Sequence, residues 1–228
     1  MLYGETPRWI DRLERLLPGL GIPNLAVYLT GAQALGFMLT LVEPRGWFLL
    51  ILDPALVLKG EIWRLITFVA VPLSMNWLWM FFILYFLYFI VNGLEEEWGE
   101  FRTTLYVLVA VLLTIGFSFA FQVPITNIAH LESTLFLAAA PTAPEYQILL
   151  FLVIPVKMKW LAWLTVAYIV WALIIGTWLS RLYLLTMYAN YLLFFGPYFI
   201  GRLRAFQRRQ KFKRDVESGR LNSGEPDA

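Results

Sequence analysis

Long stretches without a charged side chain dominate this sequence of 228 residues. A helix needs about 20 mostly apolar residues to cross about 30 Å of hydrocarbon. Five uncharged stretches reach that length, and they cover residues 16–42, 65–94, 103–129, 160–180 and 182–201. Only 15% of the residues are charged, whereas soluble proteins carry about 25%, so much of the surface must face something other than water. The sequence therefore predicts an integral membrane protein.

A sixth uncharged segment, residues 133–144, is shorter and lies between Glu132 and Glu145. It can span a bilayer only if it begins upstream, near Ile125, or if neighbouring helices shield it from lipid. We predict an all-α membrane protein with six spans, in which this short fourth helix is central. The predicted spans are residues 24–42, 76–94, 103–121, 126–142, 160–178 and 183–200.

The basic residues predict the orientation. Six spans place both termini on one side, and an internal N-terminus puts fourteen of the 18 Lys and Arg residues in cytoplasmic segments. The other four are Arg45, Lys59, Arg64 and Arg181. This asymmetry follows the positive-inside rule. We expect both termini in the cytoplasm and the protein in a bacterial inner membrane.

Two flanking segments complete the predicted organisation. In residues 1–23, Arg8, Arg12 and Arg15 lie at helical spacing beside apolar residues, which indicates an interfacial amphipathic helix. Residues 24–200 form the membrane domain. Residues 201–228 form a basic cytoplasmic tail, interpreted as a topology anchor attracted to anionic headgroups, with a specific partner site as the alternative.

Short motifs around the second span resemble the rhomboid superfamily. The long connection before this span contains Trp63-Arg64, and the span ends in Leu94-Glu95, followed by Gly99. The apolar residues 144–160 before the fifth span are also similar. The resemblance covers residues 24–200 and implies a six-helix core with a large outer first loop.

The matching residues have structural interpretations. Trp63 and Arg64 can hold the loop by hydrogen bonds and cation–π contact. Glu95 is expected to accept backbone N–H groups of the turn after the second span, and Gly99 permits that turn.

The chemistry of an active rhomboid is missing from the matching positions. Active members resemble one another in a Ser nucleophile within Gly-x-Ser-Gly on the fourth helix and a His base on the sixth, with His and Asn oxyanion donors on the second. The single histidine, His130, lies at the start of the fourth span, and Ala189 stands where the base is expected. Ser133 lacks the flanking glycines, and the family's spacing favours His130 over Ser133 as the counterpart of the nucleophile. A serine without an adjacent base is a weak nucleophile.

The second-helix donors are also replaced, since the corresponding positions are Trp79 and Ile83. An indole has one N–H, and isoleucine has no polar side-chain group. The sequence therefore favours a non-enzymatic, rhomboid-like pseudoprotease. The chain resembles derlins, which are rhomboid-like proteins that retain the Trp-Arg motif and lack the catalytic pair. This resemblance implies that the chain binds transmembrane or membrane-inserted client proteins without cleaving them.

Two other functions stay open. One is an active intramembrane serine protease with atypical chemistry, using Ser133 with His130 or Glu132. The other is a small-solute transporter or a structural membrane subunit. We interpret His130 and Glu132 first as hydrogen-bonded residues at the membrane interface. The alternative is that they form a polar recognition site with Asn127 and Ser133.

The expected partners are the lipid bilayer and a transmembrane client. Trp79, Ile83 and Asn190 are the candidate client-binding residues, although packing between helices is the first interpretation of Asn190. The chain has no cysteine, and its four aspartates lie outside the predicted spans, so we predict no metal, cofactor or aspartyl protease site. The net charge of +2 gives no reason to expect nucleic acid, and the sequence leaves the oligomeric state open.

Overall fold

A computed structural model describes residues 8–141, 147–150 and 154–222. The chain is mostly helical. Its ten helices and two strands, within these residues, are α1 Arg8–Leu16, α2 Leu25–Val42, α3 Gly46–Leu50, α4 Pro54–Val57, α5 Arg64–Thr67, α6 Trp77–Trp98, α7 Glu100–Phe121, α8 Ala129–Ala139, β1 Gln147–Leu150, β2 Ile154–Lys157, α9 Met158–Ile175 and α10 Trp178–Asn222. A 3-10 turn, Phe68–Ala70, follows α5.

Four of these helices, α2, α6, α7 and α9, are long and apolar enough to cross a membrane. This agrees with the prediction of a helical membrane protein. The predicted sixth span lies within α10, which continues far beyond it. The helix nearest the predicted fourth span, α8, has 11 residues and is about 16 Å long, much shorter than the hydrocarbon layer.

One small sheet departs from the purely helical prediction. Strands β1 and β2 pair antiparallel between α8 and α9, with Gln147 opposite Lys157 and Leu150 opposite Ile154. Short apolar runs do not distinguish strand from helix, which is why the sequence pattern missed the pair.

The long helices α2, α6, α7 and α10 run between two ends of the bundle, and α2 and α7 run opposite to α6 and α10. At the first end, called the Gly99 end, the start of α2 contacts Glu95 near the end of α6. At the opposite Arg64 end, Leu52 pairs with Ile125 just before α8. Helix α10 starts near His130 and reaches the Gly99 end at Phe195, which contacts Trp98.

Both flanking segments lie at the Gly99 end. Trp9 of α1 contacts the ring of Phe194 edge-on at 5.4 Å. Arg102 lies 3.3 Å from the carboxylate of Asp11 and 3.8 Å from that of Glu14. The predicted interfacial helix is therefore docked on the bundle. The segment predicted as a basic tail continues α10 as helix as far as Asn222, a structure that the sequence analysis did not address.

Helix α8 occupies the interior. Every residue from Thr134 to Ala140 is buried, and α6, α7, α9 and α10 pack against it. Its neighbours therefore shield this helix from lipid. Its first turns carry the polar residues that the sequence singled out.

Candidate functional site

The site begins where the chain enters α8 at the Arg64 end. The side chain of Asn127 accepts the backbone N–H of Ala129 at 3.3 Å, and this bond occupies one of the free N–H groups at the start of the helix. His130, Glu132 and Ser133 follow within the first two turns. Successive positions on a helix differ by about 100°, so these side chains point toward different neighbours.

The hydroxyl of Ser133 is engaged on two sides. It donates to the backbone carbonyl of His130 at 2.8 Å and lies 2.7 Å from the hydroxyl of Tyr188 on α10. A nucleophilic serine needs a base that accepts its proton, and neither partner is such a base at neutral pH. The arrangement joins α8 to α10.

The imidazole of His130 faces a different residue. Its ring contacts the ring of Tyr183 edge-on, with centroids 5.5 Å apart. Within the described part of the chain, no hydrogen bond joins this imidazole to Ser133. The two residues that a displaced protease dyad would need are therefore neighbours in sequence without the required contact.

Glu132 contacts α2, a relationship that the sequence analysis missed. The side-chain amide of Gln33 donates to a carboxyl oxygen of Glu132 at 2.6 Å and lies 3.4 Å from the carbonyl of Val69. Gln33 has no exposed surface, and its own oxygen, Oε1, is buried without a hydrogen-bond partner. Gln33 is the most polar residue of the apolar helix α2, and this was the available signal that it faces other helices.

The connection between α2 and α6 reaches the same place. Its 3-10 turn packs on α2 near Gly36, where a β-carbon would overlap the carbonyl oxygen of Ala70. Glycine allows this close approach of two backbones. The turn, α2 and α8 thus meet around Gln33 and Glu132.

Arg64 organises the rest of this connection. Its guanidinium is buried, bonds the carboxylate of Glu61 at 2.7 Å and donates to the carbonyls of Phe48 and Ile51 at 2.7 and 3.0 Å. It also lies 5.7 Å from the centroid of the Phe48 ring. Trp63 is half exposed beside it. The aromatic ring near the guanidinium is thus that of Phe48, while the indole faces outward.

At the Gly99 end, Glu95 has a partner that the sequence analysis did not expect. Its carboxylate accepts the backbone N–H groups of Leu25 and Ala26 at 2.7 and 3.2 Å, at the start of α2. The expectation that it bonds the turn after its own helix is therefore corrected. Gly99 has a φ of 81° and joins α6 to α7, a conformation that favours glycine.

The candidate client-binding residues fall into two environments. Trp79 is about half exposed on α6, and Ile83 lies one turn further at intermediate burial. Asn190 of α10 is fully buried and donates to the carbonyl of Tyr106 at 3.1 Å. The hydroxyl of Tyr106 in turn donates to the carbonyl of Thr134 on α8. Asn190 thus packs among helices, away from the surface on which Trp79 lies.

Among the residues that the structure describes, no three His, Cys, Asp or Glu side chains come together as a possible metal site. No family model, curated protein or solved structure matches the chain.

Proposed function

We propose that the chain is a rhomboid-like pseudoprotease, a six-span membrane protein that binds transmembrane or membrane-inserted client proteins without cleaving them. The observation that carries the proposal is the environment of Ser133. Its hydroxyl contacts Tyr188 and a backbone carbonyl, while the only imidazole of the chain packs on Tyr183. A protease of the serine type requires the opposite arrangement.

The six spans of the proposal are α2, α6, α7, α8, α9 and the first part of α10. The opposed directions of α2, α6, α7 and α10 and the shielded position of α8 support this count. The sequence also supports it, because residues 182–201 of α10 carry no charge. We propose that both termini lie in the cytoplasm, because the basic residues concentrate in α1 and in α10 after residue 201. A bacterial inner membrane is part of the same proposal.

The proposed client surface is the exposed face of α6 around Trp79. Trp79 is more than half exposed. Large aromatic side chains provide rigid contact area against another helix at little entropic cost. Ile83 lies one turn further along the same helix. Asn190 is not part of this surface, because it is buried between α10 and α7.

Photo-crosslinking tests the proposal. A photo-reactive residue replaces Trp79 in the full chain expressed in bacterial membranes, and adducts are identified by mass spectrometry. The expected result is an adduct within a membrane-spanning segment of another protein, recovered at its full length. Leu35 on α2 is 69% exposed and serves as the matched control position. Lipid adducts alone at both positions would contradict client binding.

A second measurement separates the proposal from an active protease. A serine-directed fluorophosphonate should leave the purified protein unlabelled at Ser133. Labelling at Ser133, together with its loss in Ser133→Ala, would favour the protease with atypical chemistry.

A further inference from the structure

Glu132 is an acidic side chain set among helices, and its closest described contact is an amide. The carboxyl oxygen Oε1 accepts the N–H of Gln33 at 2.6 Å, and Gln33 is completely buried. The carbonyl of Val69, on the returning connection, lies near the same N–H group. The acidic group thus sits where α2, α8 and the 3-10 turn meet.

In the described part of the chain, neither α2 nor the 3-10 turn, which meet at Glu132, carries a basic side chain. The uncharged residues 16–42, 65–94 and 103–129 contribute neither Lys nor Arg to the elements around it. Arg64 is already bound to Glu61 and to two carbonyls. No salt bridge within the described ranges includes Glu132.

Among the described residues, His130, Tyr106, Tyr183 and Tyr188 lie against α8 or contact its residues, and the basic residue Arg181 of α10 donates to the carbonyl of Ile174. His130 precedes Glu132 by two positions, about 200° around the helix, and packs on Tyr183. Tyr188 contacts Ser133, and Tyr106 of α7 donates to a backbone carbonyl. None of them supplies a positive counter-charge to Glu132. Glu132 keeps part of its surface exposed, whereas the amide that it contacts has none. An unpaired carboxylate against a fully buried amide is costly, and such a group commonly takes up a proton instead.

Gln33 supplies the matching acceptor. Its Oε1 is buried without a hydrogen-bond partner, and it belongs to the same amide whose nitrogen bonds Glu132. An ionised carboxylate accepts hydrogen bonds only, whereas a carboxylic acid also donates one. A proton on the second oxygen of Glu132 would therefore satisfy the remaining acceptor of Gln33.

We propose that Glu132 is a proton-binding site, in which the neutral carboxyl group donates to Oε1 of Gln33 while accepting from its Nε2. The two side chains then form a paired ring of hydrogen bonds that joins α8 to α2. The ligand is a single proton. Its removal leaves two acceptors facing each other and an unpaired charge, so proton loss loosens the contact between these helices. The inference is independent of whether clients bind at α6.

Infrared spectroscopy of the full chain in lipid nanodiscs at neutral pH tests the protonation state. The wild-type protein should show a carbonyl band of a protonated carboxyl group, and this band should be lost in Glu132→Gln. Glu97→Gln is the matched control, because Glu97 is exposed after the uncharged part of α6, and the band should persist in this variant. A spectrum in which Glu132→Gln removes only a carboxylate band would overturn the proposal.

Thermal unfolding gives an independent test. Glutamine at position 132 can make the same paired bonds as the neutral acid, so Glu132→Gln should keep the wild-type Tm at neutral pH, while Glu132→Ala should lower it. At alkaline pH the wild type should lose Tm relative to Glu132→Gln. If Glu132→Gln fails to fold, or loses as much Tm as Glu132→Ala, the group is held as a carboxylate and the proposal is wrong.

Discussion

The carboxylate of Glu95, near the end of α6, accepts the backbone N–H of Leu25 at 2.7 Å, although the two residues lie 70 positions apart. Its second oxygen accepts the N–H of Ala26. The residue before the helix, Asn24, has a φ of 56° and makes no side-chain cap. Helix α6 therefore provides the acceptor that the start of α2 lacks, and its negative charge matches the positive end of the helix dipole.

Replacing Glu95 should test this capping interaction. Glu95→Ala leaves two backbone N–H groups of α2 without their acceptor, and we expect a loss of about 2 kcal/mol in the free energy of unfolding. Glu95→Gln keeps one acceptor oxygen without the charge and should lose less. Denaturation of the purified protein in mixed micelles measures both variants.

The control for this substitution is Glu96→Ala on the neighbouring position. Glu96 is exposed, and its carboxylate accepts from Asn92, one turn earlier in the same helix. Its removal should change the free energy of unfolding by no more than about 0.5 kcal/mol. Equal losses for Glu95→Ala and Glu96→Ala would show that the contact with α2 contributes nothing specific.

Hydropathy was sufficient to place the four membrane-length helices, because the length of an uncharged stretch depends on local sequence alone. It located the starts of α2 and α6 to within a residue. It did not give the end of α8, which stops at Ala139 although apolar residues continue. It also did not show that the basic segment after residue 201 continues α10 as helix.

The side-chain contacts of the site could not be predicted from hydropathy, because they depend on how the helices pack against one another. Glu132 was singled out from the sequence, but its partner Gln33 lies 99 positions away. The sequence indicated that a polar residue in an apolar helix faces the interior without saying which residue it meets. For the same reason the sequence did not predict the partner of Glu95. Its motif indicated a contact with the turn that follows its own helix, whereas its carboxylate oxygens accept N–H groups at the start of α2.

Arg64 provides a second test, directed at the connection between α2 and α6. Arg64→Lys keeps the charge, but one ammonium group cannot reproduce the planar set of bonds to Glu61, Phe48 and Ile51. We expect a loss of about 3 kcal/mol in the free energy of unfolding, since the partners stay buried and lose their donors. Arg45→Lys is the matched control, because Arg45 is exposed in the same connection. Indistinguishable stabilities of the two variants would mean that the buried guanidinium does not hold the connection.

Tyr188 provides a test of the proposed inactivity. Tyr188→Phe removes the hydroxyl that contacts Ser133, at a cost of about 1 kcal/mol in the free energy of unfolding. The freed serine should still resist fluorophosphonate labelling, because the His130 ring lies against Tyr183. Tyr85→Phe, at an exposed position on α6, should change neither property. Labelling of Ser133 in the Tyr188→Phe protein would indicate a latent nucleophile that Tyr188 restrains.

Gly36 tests the close packing of the 3-10 turn on α2. A β-carbon at this position overlaps the carbonyl oxygen of Ala70, so Gly36→Ala must displace the backbone of the turn. We expect a loss of about 3 kcal/mol in the free energy of unfolding. Gly31 lies in the same helix, and a β-carbon there meets nothing within 4 Å. Gly31→Ala should therefore be neutral or stabilise the protein by up to about 1 kcal/mol, because alanine favours the helix. If Gly36→Ala is tolerated as well as Gly31→Ala, the turn does not contact α2, and the meeting of α2, α8 and the turn around Glu132 has to be abandoned with it.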